Sequence, residues 1–218
     1  MGFFSSVFGS GDKSPEPVNI ESPSDLKIGD MLKMEFAEQG LVSGQTLKVA
    51  EQLFYDVSAV ENCKTVSILQ GADQRVLLST STVNPERPLE LAISVLPETV
   101  FKLFKRKQFA AIFDEPDNTD HRVNCKADLD NLTGELNGLE GFVAASYFQE
   151  RTNEAYRSNK DCRNKERSEA DWTAFDYKLL VADDRNHAVR IEVFDGGRTD
   201  VYLIAYLALN KVEEYWPA

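Results

Sequence analysis

The chain of 218 residues predicts an α+β fold that is predominantly antiparallel β, with two meander-rich β units around a central amphipathic helix. Three observations carry this. Short apolar runs with two-residue alternation recur between turn residues; the period changes at Pro97; and Asp195-Gly196-Gly197 sits between two alternating runs, a strong hairpin signal. The two strand-rich regions, 54–81 and 175–202, share a rhythm of three runs and two polar turns, so a duplication is one reading.

Met1 to Gly9 is short and aromatic, and Gly11, Pro15 and Pro17 follow in a stretch with the composition of a tether. The ordered body is expected from about Ile28, where Gly29-Asp30 makes a turn. Strands are then read over 31–36, 46–49, 52–60, 64–70, 75–81 and 89–95. Pro97 at a first helical position, with Val100, Phe101, Leu103 and Phe104 at three- and four-residue spacing, predicts a helix over 97–108. Residues 109–113 continue it or form a strand, and 114–120 is a polar loop. The segment 150–171, with six basic and six acidic residues, reads as a solvated helix or a loop. Strands at 172–181, 188–194 and 200–208 predict a three-stranded meander, and 209–216 a short helix. The division is 1–27 (aromatic segment and linker), 28–130 (β-rich unit with the helix) and 131–218 (second unit).

A net charge of −12 repels phosphate backbones at long range, which argues against nucleic acid as a partner. Cys63, Cys125 and Cys162 are odd in number and widely spaced, which suits free thiols in a reducing compartment. No run approaches the roughly 18 apolar residues that span a bilayer. Cytoplasmic localisation is therefore expected, with peripheral recruitment to the inner face of the membrane as an option.

No catalytic signature is present. His121 and His187 lie in turns with no nucleophile motif nearby, and exposed histidines without a role are expected. His121 and Cys125, even joined by Cys162, lack a fourth metal ligand, and the acidic cluster Asp114, Glu115, Asp117 and Asp120 lacks the glycine and terminal glutamate of a calcium loop. Gly134, Gly138 and Gly141 are not followed by the Lys-Ser or Lys-Thr of a phosphate cradle. Neither a metal nor a cofactor is expected.

Two features point to binding. Phe3, Phe4, Val7 and Phe8 would share one side of two helical turns, an apolar stripe that costs free energy in water unless it docks. Gly2 with Ser6 also fits the formal myristoylation pattern. Lys102, Lys105, Arg106 and Lys107 form the one concentrated basic patch, whose plain explanation is that cations in a helix's last turn complement its dipole. A protein partner or an anionic membrane surface is the expected target.

The Phe-rich start, the strand-rich first half and the phrase Val193-Phe194-Asp195-Gly196-Gly197 resemble the YjfK-type bacterial family, over most of the chain. That resemblance implies no established activity. Met1-Gly2-Phe3-Phe4-Ser5 is also similar to the start of phage-shock protein A, which implies a link to envelope stress, although the long coiled coil of that protein has no counterpart here. The reading is a cytoplasmic binding or adaptor protein that is not an enzyme. The alternative is an enzyme or small-ligand protein with a site assembled from scattered strand residues, which a pocket of convergent polar groups with shifted pKa values would favour.

Overall fold

The computed structural model describes residues 20–57, 61–71, 74–114, 121–161 and 171–218. Its strands are β1 (Met31–Met34), β2 (Thr46–Val57), β3 (Glu61–Gln70), β4 (Arg75–Thr80), β5 (Leu89–Val95), β6 (Arg122–Asn124), β7 (Ser146–Ser158), β8 (Thr173–Ala182), β9 (His187–Phe194), β10 (Thr199–Leu207) and β11 (Val212–Trp216). Two short helices, α1 (Pro97–Leu103) and α2 (Arg106–Asp114), lie between β5 and β6.

The strands are antiparallel in the order β11-β1-β2-β3-β4-β5-β10-β9-β8-β7-β6, and β2 also pairs with β7 through Phe54↔Ser158, Tyr55↔Arg157 and Asp56↔Tyr156. That pairing closes β2-β3-β4-β5-β10-β9-β8-β7 into an eight-stranded barrel, and closure removes the unpaired backbone edges that an open sheet would expose. This corrects the α+β reading: the molecule is one closed barrel with two short helices, not two meander units about a central helix.

Closure depends on two long strands that change partner part-way. The first residues of β2 pair with β1 and its last with β7, with a register shift between Val49 and Glu51. Likewise β7 pairs first with β6 and last with β2, with a shift between Gln149 and Arg151. A bulge turns the following side chains to the other face. Leu47 and Val49 therefore belong to the outer core, whereas Tyr55 and Val57 belong to the inner one.

Both faces of the central strands are buried, so Val201 to Leu207 form an unbroken buried run. Outside, Leu89, Leu91, Leu203 and Leu207 pack with Val100, Leu103 and Phe109 of the helices and with Leu132, Leu139 and Phe142 of the following loop. The positive φ angles of Gly138 (+87°) and Gly141 (+74°) shape that loop, and Gln39 Nε2 donates to Gly141 O at 2.7 Å. The three glycines are thus turn residues of a covering loop. Among the described residues, no helix is long and apolar enough to cross a membrane.

Four local expectations change. The helix read over 97–108 is broken at Phe104, which bridges to Cys125, and Lys126 N donates to Leu103 O at 2.7 Å. Residues 109–113 belong to α2. The charged segment beginning at 150 is strand as far as Ser158, because Arg151, Asn153 and Arg157 alternate with outward residues and face a polar interior. The C-terminal helix is instead β11, paired with β1 after a 3-10 turn at Leu209–Lys211. The strands at 46–49 and 52–60 are the two parts of β2, with 58–60 outside the described residues.

Candidate binding surfaces

The barrel interior carries charge. Alternation along β3, β5, β7 and β9 turns Lys64, Glu90, Arg157, Arg190 and Glu192 inward among Tyr55, Ile204 and Tyr202. Lys64 Nζ donates to Glu90 Oε2 at 2.8 Å, Arg190 Nη1 to Glu90 Oε1 at 3.1 Å, and Ser79 Oγ to the same oxygen at 3.3 Å. Arg190 Nε lies 3.1 Å from Glu192 Oε1, and Arg157 Nη1 donates to Glu192 Oε2 at 3.1 Å. The Arg190 guanidinium is 4.5 Å from the Tyr202 ring centre and 5.3 Å from that of Tyr55. Charges withdrawn this far from water survive only when paired.

Environment separates the two carboxylates. Burial alone would raise Glu90, but Lys64 and Arg190 outweigh it and hold its carboxyl below the ordinary range. Burial dominates at Glu192 and raises it, with Arg190 and Arg157 offsetting only part. Burial, with Glu192 nearby, also raises the phenols of Tyr55 and Tyr202, so at neutral pH they are hydrogen-bond donors rather than bases. The depressed Glu90 stabilises the fold above the usual carboxylate range and loses that contribution as pH falls through its folded value. The raised Glu192 acts in the opposite sense, its penalty relieved as pH falls through its own folded value. Glu90→Gln is therefore expected to cost more stability than Glu192→Gln at pH 7, with its deficit shrinking below about pH 4. Urea denaturation of the two variants at both pH values checks this, and equal costs at pH 7 would contradict it.

The void bounded by Tyr55, Lys64, Glu90, Arg151, Tyr177 and Arg190 measures about 10 Å³. That is room for a single water, so the lumen is a packed core and not a ligand chamber. One end of the barrel is open. A cleft of about 570 Å³ has apolar walls from Leu53, Ile68 and Leu77, with Ser94, Arg157 and Tyr202 supplying polar groups. Arg157 joins this mouth to the buried network, since its Nη1 also lies 3.5 Å from Asp200 Oδ2 and its guanidinium 4.3 Å from the Phe194 ring centre.

The second surface is apolar. A groove of about 420 Å³ runs between the two helices and the ends of β5 and β10, lined by Val95, Phe101, Phe109, Phe113 and Val201. Phe101 and Phe113 are 40% and 39% exposed, and neighbouring Leu96 is 70% exposed, so this wall presents aromatic and aliphatic surface to water. Arg106 lies on the wall with its guanidinium 5.3 Å from the Phe101 ring centre, and Lys102 pairs with Glu135.

The break at Phe104 changes the electrostatics of the basic patch. Arg106 and Lys107 stand in the first turn of α2, at the positive end of its dipole, and not in the last turn of one longer helix. A cation there is disfavoured by several tenths of a kcal/mol. Dipole complementation therefore accounts for Lys102 alone. No family model matches the chain, and no curated protein or solved structure does either. The likeness to the YjfK-type family thus rests only on the arrangement and phrases quoted above.

Phe3, Phe4, Val7 and Phe8 lie outside the described residues, as do Cys162, Glu115, Asp117 and Asp120. Both histidines are half-buried, which corrects the expectation that they are exposed. His121 Nε2 lies 2.7 Å from Gln108 O, and His187 is held by Asp184 Oδ2 at 2.8 Å and Gly141 O at 3.2 Å. Among the described residues no cluster of three His, Cys, Asp or Glu side chains is placed to hold a metal. Sequence reasoning missed Glu90, Arg190 and Glu192. The available signal was a charge at every second position inside an otherwise apolar strand, as in Arg190 and Glu192 of β9.

Proposed function

We propose that the chain is a non-enzymatic binding protein of the adaptor type, with the apolar groove beside α1 and α2 as its docking surface. The observation that carries this is the coincidence of an exposed aromatic groove with Arg106 on its wall, a cation that the α2 dipole disfavours. A concave apolar groove suits one face of an amphipathic protein segment, and Arg106 and Asp114 on its wall offer one cation and one anion to polar residues flanking that face. The barrel supplies a rigid base, because closure leaves its central strands paired on both sides.

The test compares affinity capture by the wild-type chain, Ala110→Arg within the groove, and Arg106→Glu on its wall. A partner retained by wild type and depleted at least about tenfold by either change, equivalent to ~1.4 kcal/mol, fits the proposal. Capture unaffected by both variants contradicts it. Flotation with anionic liposomes runs alongside: flotation of the full chain that Arg106→Glu abolishes would move the assignment to membrane recruitment.

A second reading has its own observation, the open barrel mouth with Arg157 and Tyr202 below apolar walls. Such a cleft suits a small amphiphile with a neutral polar end hydrogen-bonded to Arg157 or Tyr202 and its apolar part on Leu53 and Leu77, since Glu192 and Asp200 already balance the charge of Arg157. Decanol is the probe for this reading. It is expected to raise the melting temperature of wild type and not of Arg157→Gln, and equal shifts in both would remove this reading.

A further inference from the structure

The segment Met1 to Gly9 has no charged side chain and carries Phe3, Phe4, Val7 and Phe8, so in water it is an apolar group seeking cover. The described chain begins at Ile20, which packs into the outer core, and the 3-10 turn Pro23–Asp25 lies against β4. β4 neighbours β5, whose last residue, Val95, forms a wall of the groove. With about 4.8 Å between strands and about 3.4 Å per residue, the far end of β4 is only about 20–25 Å from Val95. The residues between Phe8 and Ile20 can extend to roughly 40 Å.

We infer that the groove is occupied in the free protein by the chain's own segment 1–9, with its phenylalanines against Phe101, Phe109 and Phe113. This rests on the groove being a docking surface and adds its regulation, since a partner then binds by displacing the segment. Tethering explains why the chain's own segment takes precedence over a second copy or a dilute partner. A short linker gives an effective concentration on the order of 1 mM, so a segment with an intrinsic Kd of about 100 µM is docked in about nine molecules of ten.

The experiment titrates a fluorescein-labelled peptide of residues 1–10 against full-length chains and reads anisotropy. The wild-type chain is compared with Phe4→Asp/Phe8→Asp, which vacates the groove, and with the same chain carrying Ala110→Arg or Phe113→Ser in addition. The expected result is about tenfold tighter binding to Phe4→Asp/Phe8→Asp than to wild type, abolished by each groove substitution. Equal affinity for wild type and Phe4→Asp/Phe8→Asp, still abolished by the groove substitutions, overturns self-occupancy while leaving the groove as a docking surface. Tight binding that survives both groove substitutions overturns the inference by placing the peptide elsewhere. Absence of binding to every chain also overturns it, and the capture experiment then judges the groove on its own.

Discussion

Arg190→Ala is expected to destabilise the fold by about 3–5 kcal/mol, the usual cost of removing one partner from a buried ion pair. For a chain of this size that is a fall in melting temperature of roughly 6–20 °C. Arg190 is 3% exposed and bonds Glu90 while pairing with Glu192, itself 0% exposed, so its loss leaves two carboxylates in the core with one cation each. The void beside Glu90 and Arg190 is about 10 Å³, room for a single water to solvate the charge left behind. The matched replacement Arg190→Met/Glu90→Gln/Glu192→Leu is expected to recover much of the loss, because desolvation rather than pairing sets the cost. Urea denaturation and calorimetry on both proteins check this. A cost below about 1 kcal/mol for Arg190→Ala would mean that water reaches the network.

The second large effect is expected at Phe104, the residue that breaks the predicted helix. Its ring is fully buried, stacked on Phe109 at 5.7 Å and edge-on to Tyr147 at 5.7 Å, and its backbone bridges to Cys125. Phe104→Ala should cost about 3–5 kcal/mol, whereas Phe101→Ala, 40% exposed at the groove, should cost less than about 1 kcal/mol. Function should reverse the ranking per unit of stability. Phe101→Ala should weaken groove docking in a stable protein, and Phe104→Ala should weaken it only as far as the helices detach. Docking affinity and urea midpoints on the same samples separate the two. A loss above about 2 kcal/mol at Phe101 would refute its placement outside the core.

Much of the strand pattern was legible. Asp195-Gly196-Gly197 turns where expected, with φ of +80° and +83° at the two glycines, and Pro97 opens a helix. The strands β8, β9 and β10 pair in sequence as the alternation implies. What misled was polarity placed inside. In β7 the inward residues include Arg151, Asn153 and Arg157, so a strand resembled a solvated helix. The groove was only half legible: Arg106 was visible within the basic patch, but the backbone bridge from Phe104 to Cys125 that places it at the start of α2 was not.

Residue order alone specifies where this backbone extends, turns and starts a helix, because φ restriction at proline, positive φ at glycine and side-chain alternation act over a few neighbours. Barrel closure and the joining of scattered charges into one network emerge only on folding. Arg190 and Glu90 stand 100 residues apart in the chain, and Tyr55 and Glu192 stand 137 apart. Their pairing is selected by the shared need of eight strands to satisfy their edges and of buried charges to find opposite charge. No local window of sequence contains both halves of that requirement.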